Sequence, residues 1–170
     1  MGSSETSGAW RQRLWSRVLL APSSRRLRCE KQEVQVPYRH GAVQLWHERS
    51  PDGESTHVDP PELLILRLLG RRGRAELATQ DPSNRLKGVR AITWTLNPPG
   101  FGGSSGPVTV AAYVGSVVAA YDFLAARFAG VPIWVYGKSI GGTAAMYLAA
   151  HRPVSALVAK NLIDVPATVH

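Results

Sequence analysis

Residues 133–141 read Ile-Trp-Val-Tyr-Gly-Lys-Ser-Ile-Gly, and the run continues through small residues to Ala150. Ile133–Tyr136 is β-branched and aromatic, the composition of a strand. Ile140–Ala150 is rich in small residues, four of them Ala, and reads as a helix, which Pro153 stops. Between them stands Gly137-Lys138-Ser139-Ile140-Gly141, a G-x-S-x-G match. A sharp strand-to-helix turn at this point lifts the serine above the end of a sheet, and Gly137 and Gly141 let strand and helix approach closely. A serine hydroxyl becomes a useful nucleophile when a histidine removes its proton. At a helix start, the Ile140 N–H points toward a developing oxyanion. The plainer role for Ser139 is a helix cap.

Two other readings of the same letters are weaker. Gly102-Gly103-Ser104-Ser105-Gly106 also matches G-x-S-x-G, but it follows Pro98-Pro99-Gly100 and precedes Pro107. That context is loop, not a strand–turn–helix. Gly137-Lys138-Ser139 resembles the end of a phosphate-binding loop, which requires a glycine where Pro132 stands.

Working outward, Val154–Ala159 reads as a strand after the helix. Upstream, Val108–Phe128 has helical length and Gly130 ends it. Asp122 and Arg127 within this apolar run favour a buried helix over a membrane span. Leu63–Leu69 is nearly all aliphatic, as a strand buried on both faces should be, and Ala91–Leu96 is another strand. Gly70–Arg90 is polar and reads as loop with a short helix. Glu33–Pro37 and Val43–His47, joined at His40-Gly41, read as an antiparallel hairpin. The order predicts an α/β fold: a mostly parallel central sheet with helices on both faces and the hairpin at one edge.

The 170 residues support one domain with a core. Residues 1–30 form an N-terminal extension, partly disordered, and residues 31–170 the domain. In the extension, Trp10, Leu14 and Val18 recur at spacing four among arginines. This predicts a short basic amphipathic helix that packs on the domain, with contact to an anionic membrane surface as the alternative. The net charge of +8 leaves anionic partners open, but no basic stripe interleaved with aromatics signals nucleic acid. Cys29 is the only cysteine, so an intramolecular disulfide is excluded and no Cys-based metal site is expected. Arginines interrupt the N-terminal apolar residues, so no secretory signal is read and a cytoplasmic location is expected.

Three stretches together resemble the α/β-hydrolase superfamily, in particular the branch with acyl-protein thioesterases and lysophospholipases. Leu69-Gly70-Arg71-Arg72-Gly73 is similar to the His-Gly-x-x-Gly oxyanion loop after the third strand. Asn97-Pro98-Pro99-Gly100-Phe101-Gly102-Gly103-Ser104 is similar to the Pro-Gly-x-Gly-x-Ser loop after the fourth. Tyr136–Gly141 is similar to the nucleophile elbow. The resemblance covers roughly 33–165. It implies a serine hydrolase of esters or thioesters, with Ser139 as nucleophile, Ile140, Gly70 and Arg71 at the oxyanion hole, and no cofactor or metal.

The departures are specific. Leu69 stands in place of the usual histidine of the oxyanion loop. The family order is Ser, then Asp or Glu, then His. After Val154 only Asp164 and His170 qualify, Asp164 as a low-ranking acid and His170 as a frayed terminus. His40 and His47 belong to the hairpin and His57 to a polar loop. His151 lies about 15 Å from Ser139 along a helix. An incomplete hydrolase fold lacking its last strands is therefore expected, inactive alone and prone to self-associate through an open sheet edge. The alternative is a non-catalytic binding or structural module that keeps half of a hydrolase fold.

Overall fold

The structure is a computed structural model, and it describes residues 14–18, 20–24, 31–48 and 60–162. Helix α1 occupies residues 14–18 and 20. The hairpin β1 (Gln32–Tyr38) and β2 (Gly41–His47) follows, then β3 (Leu63–Leu68), β4 (Ala91–Asn97), α2 (Val110–Arg127), β5 (Ile133–Lys138), α3 (Ile140–His151) and β6 (Ala156–Lys160). Between β3 and β4 lie two one-turn 3-10 helices, Ala75–Leu77 and Ser83–Arg85.

The six strands form one sheet in the order β1-β2-β4-β3-β5-β6. The four strands from β4 to β6 are parallel, and the hairpin joins antiparallel through β2 at the β4 edge. Right-handed crossovers fix the faces. The chain steps from β3 to β4 in one direction and from β4 to β5 to β6 in the other, so the two kinds of connection lie on opposite faces. Helices α2 and α3 pack on one face and against each other. Residues 69–90, with the two 3-10 turns, cover the other.

Side-chain alternation follows this division. Leu64, Leu66, Leu68, Trp94, Leu96 and Val135 join the core beneath α2 and α3. The alternate residues Arg67, Thr93 and Thr95 bond to the loop: Arg67 donates to the carbonyls of Ala78 and Asp81, Thr95 to that of Ala78, and the Thr93 hydroxyl pairs with that of Ser83. A polar segment without hydrophobic periodicity thus holds its place through hydrogen bonds to one face of the sheet.

Helix α2 is the one described helix long and apolar enough to cross a membrane. Here Tyr113, Val117, Ala120, Tyr121 and Leu124 are buried at helical spacing, in the core as expected. Its start is capped by Thr109, whose hydroxyl accepts from the Ala112 N–H at 3.1 Å.

The N-terminal helix corrects one expectation. The stripe through Leu14 and Val18 does not pack on the domain: both are exposed, as is Trp15. Trp10 lies outside the described residues. The buried face is Ser16 and Leu20, and Leu20 belongs to the main core. The chain leaves α1 through Ala21 and seats Pro22 and Ser23 on the loop after β4, where the Gly102 N–H donates to the Ser23 carbonyl at 2.9 Å. The anchoring residue is the one that fills a core position, while Leu14 and Val18 remain exposed.

Candidate active site

Ser139 stands between the last residue of β5 and the first of α3, at φ 56° and ψ −126°. Its side chain makes no capping hydrogen bond. A simple N-cap has extended backbone and turns its hydroxyl to an N–H two or three residues on. Positive φ at a residue bearing a Cβ costs about 1–3 kcal/mol, so the surroundings must enforce it. They do so through the backbone. The Ser139 N–H donates to the Lys160 carbonyl at 2.8 Å, and its carbonyl accepts from Gly142 at 2.8 Å and Thr143 at 3.2 Å.

Gly137 and Gly141 are required for the same reason. A Cβ on Gly137 would lie 2.3 Å from the Gly141 oxygen, and one on Gly141 would lie 2.4 Å from the Leu68 oxygen. These are backbone atoms that cannot swing aside. Helix α3 therefore starts in direct backbone contact with β5 and with the end of β3.

The loop after β3 abuts the serine. A Cβ on Gly70 would lie 3.2 Å from the Ser139 Cβ and 3.2 Å from the Lys138 oxygen. Gly70 and Gly73 close a turn, with the Gly73 N–H on the Gly70 carbonyl at 3.0 Å, and the side chains of Arg71 and Arg72 project into solvent. The Gly142 and Thr143 N–H groups are taken up by the Ser139 carbonyl, whereas the N–H of Ile140, the first residue of α3, has no intrahelical acceptor. Ser139, Ile140, Gly70 and Arg71 are thus neighbours at the carboxyl end of the parallel strands, where open α/β sheets bind ligands.

A buried polar network not foreseen in the sequence ties the β3 and β4 loops together. The Glu76 carboxylate accepts from Arg74 at 2.8 Å and from Asn97 at 3.0 Å. The Asn97 amide oxygen accepts from the Ala75 N–H at 2.9 Å, and its nitrogen donates to Gln44. Gln44 accepts in turn from the Gly103 N–H at 2.7 Å. Burial pushes the Glu76 carboxyl up, but hydrogen bonds from Arg74, its own backbone and Asn97 outweigh this and hold it below the ordinary range. Ser104, of the second G-x-S-x-G match, belongs to this frame: its hydroxyl donates to the Asn97 carbonyl at 2.7 Å and accepts from the Gln44 N–H. It is committed structurally. Asn97 at a strand end beside a glycine-rich loop was the one sequence signal for this frame; Glu76 offered none.

The described histidines lie elsewhere. His40, at the β1–β2 turn, packs against Tyr38, and β2 is three strands from β5, about 14 Å at ordinary strand spacing. His47 sits at the opposite end of the sheet, its ring 3.9 Å from that of Trp94; burial lowers its pKa, partly offset by its bond to the Glu48 carbonyl. His151 closes the 12-residue α3, about 18 Å along the helix. His57, Asp164 and His170 lie outside the described residues. Among the described residues, no group of His, Cys, Asp or Glu could hold a metal ion.

No protein-family model and no curated protein matches the sequence. Solved structures do match. An esterase from Pyrococcus furiosus superposes with a TM-score of 0.64 at 15% identity, over 83% of this chain and 57% of its own. An α/β serine hydrolase without lid from Xanthomonas campestris gives 0.57 at 14% identity, over 79% and 62%. A thioesterase domain from the curacin biosynthetic pathway gives 0.58 at 20% identity, over 83% and 49%. The chain has the α/β-hydrolase fold, and it spans about half to three-fifths of the length of these structures.

Proposed function

We propose that the chain carries the nucleophile half of a serine hydrolase acting on esters or thioesters. The observation that carries this reading is the positive φ of Ser139 without a capping bond. The strained turn presents the hydroxyl and leaves the Ile140 N–H for an oxyanion. In the step proposed, the Ser139 oxygen bonds to the acyl carbon and its proton passes to a base. The carbonyl electrons move onto oxygen, held by the Ile140 N–H and by backbone of Gly70 and Arg71. Collapse breaks the bond to the leaving alcohol or thiol, which takes up the proton, and water then hydrolyses the acyl-serine. None of the described residues supplies the acid or the base of that step, so the chain alone is expected to be inactive. No described histidine lies close enough to serve.

That distance also favours a second reading, a module that keeps the fold without the chemistry. A fluorophosphonate probe with peptide mass spectrometry separates the two. The hydrolase reading expects slow modification of Ser139, absent in Ser139→Ala. Modification of another serine, or an unchanged signal in Ser139→Ala, overturns it. A complete lack of modification supports the second reading.

A further inference from the structure

Helix α1 presents two unlike faces. Ser16 and Leu20 are buried on the domain, whereas Leu14, Trp15 and Val18 are 53%, 64% and 49% exposed. Positions 14, 15 and 18 share one helix face, and the exposed Arg17 borders it. Residues 11–31 carry seven Lys and Arg against one Glu. A large aromatic ring and two aliphatic side chains beside the exposed Arg17, in a stretch of sequence with that excess of cationic charge, have the make-up of an interfacial helix, and the charge selects an anionic bilayer over a neutral partner.

The place of this face in the fold gives it meaning. After α1, Pro22 sits where a Cβ on Gly100 would lie 3.1 Å away, and the Ser23 carbonyl accepts from Gly102. The Ser23 hydroxyl also accepts from Arg74 at 3.3 Å. Gly100, Gly102 and Arg74 belong to the loops at the carboxyl ends of β4 and β3, the end that carries Ser139. The exposed Arg71 and Arg72 lie at that end too. We infer that α1 docks the chain on an anionic bilayer with the Ser139 end of the sheet turned toward the lipid, so that the ester taken is an acyl ester held in that bilayer. The substrate class rests on the hydrolase reading above; the docking does not.

Flotation with phosphatidylcholine vesicles, with and without phosphatidylserine, tests the docking on the full chain. Binding is expected only with phosphatidylserine, weakened about tenfold or more in the variant Leu14→Ser/Trp15→Ser/Val18→Ser. Those side chains are exposed, and an unchanged melting curve confirms that the variant folds. Equal binding to neutral vesicles, no binding, or full binding by the triple variant overturns the proposal. Orientation is read in a Cys29→Ser background with an environment-sensitive dye on Leu77→Cys, in the 3-10 turn whose Ala75 is bonded to Asn97, or on Val89→Cys at the other end of β4. A blue shift at Leu77 and none at Val89 is expected; the reverse overturns the orientation. Ser139→Ala must float like the parent chain. Docking with no Ser139 modification would therefore retire the hydrolase reading and leave the membrane surface standing.

Discussion

The Ser139 N–H donates to the Lys160 carbonyl at 2.8 Å, so the turn after β5 is held by the last residue of β6. The conformation of the serine is thus enforced from a neighbouring strand rather than by its own side chain.

Ser139→Ala should therefore leave stability within about 0.5 kcal/mol, since alanine keeps the Cβ and loses no capping bond. A serine acting as N-cap would lose about 1 kcal/mol on the same change. Urea unfolding distinguishes the two, and a loss near the larger figure would return Ser139 to a capping role.

Gly137→Ala and Gly141→Ala should each cost more than about 3 kcal/mol, because the added methyl meets backbone rather than a movable side chain. Thermal melts followed by circular dichroism check this. An alanine variant melting like the parent chain would mean that strand and helix stand further apart than described.

Turnover of p-nitrophenyl esters by the chain alone should be little or none. No described histidine lies within proton-transfer range of Ser139, and serine catalysis without its triad keeps only a small remnant of rate. Robust hydrolysis lost in Ser139→Ala would reveal a base among the residues outside the described set.

Glu76 sets an acid limit. Its carboxyl is held below the ordinary value of 4.5, so the folded state binds that proton less readily than the unfolded chain. The stability it contributes is complete above that value and is lost as pH falls through it toward the lower folded pKa. Glu76→Gln should flatten this part of the acid-unfolding curve and lower stability at neutral pH by about 1–3 kcal/mol. Parallel acid curves for variant and parent chain would remove Glu76 from that role.

Strand β6 is an edge of the described sheet and presents partly exposed Leu157 and Val158, with Met146 and Tyr147 exposed on α3. We expect the chain to self-associate along this edge at micromolar concentration. Val158→Lys should shift it toward monomer in size-exclusion chromatography. A monomeric parent chain would argue for a compact module instead.

What the sequence disclosed follows from where its signals were periodic. Leu63–Leu68 is an almost continuous aliphatic run, Ala91–Asn97 and Ile133–Lys138 carry apolar residues at least at every second position in their first five, and the turn at Ser139 is framed by two glycines. Residues 70–90 carried no such pattern, because Arg67, Thr93 and Thr95 hold them by hydrogen bonds to side chains far away in the chain. The Glu76–Asn97–Gln44 frame was hidden for the same reason. At α1 the periodicity was real but named the wrong face, since a stripe of spacing four does not say whether protein or solvent meets it.

The backbone contact between Gly137 and Gly141 separates the history of the scaffold from that of the proposed reaction. Both glycines are demanded by strand–helix distance whether or not anything is hydrolysed. Ser139 is not: glycine there would relieve the positive φ, and a hydroxyl is called for only by the nucleophile role proposed for it. In a lineage that abandoned hydrolysis, selection would go on guarding positions 137 and 141 while position 139 drifted. The flanking letters of the motif would then outlive its activity, and the first trace of decay would be a protein that had become harder to unfold.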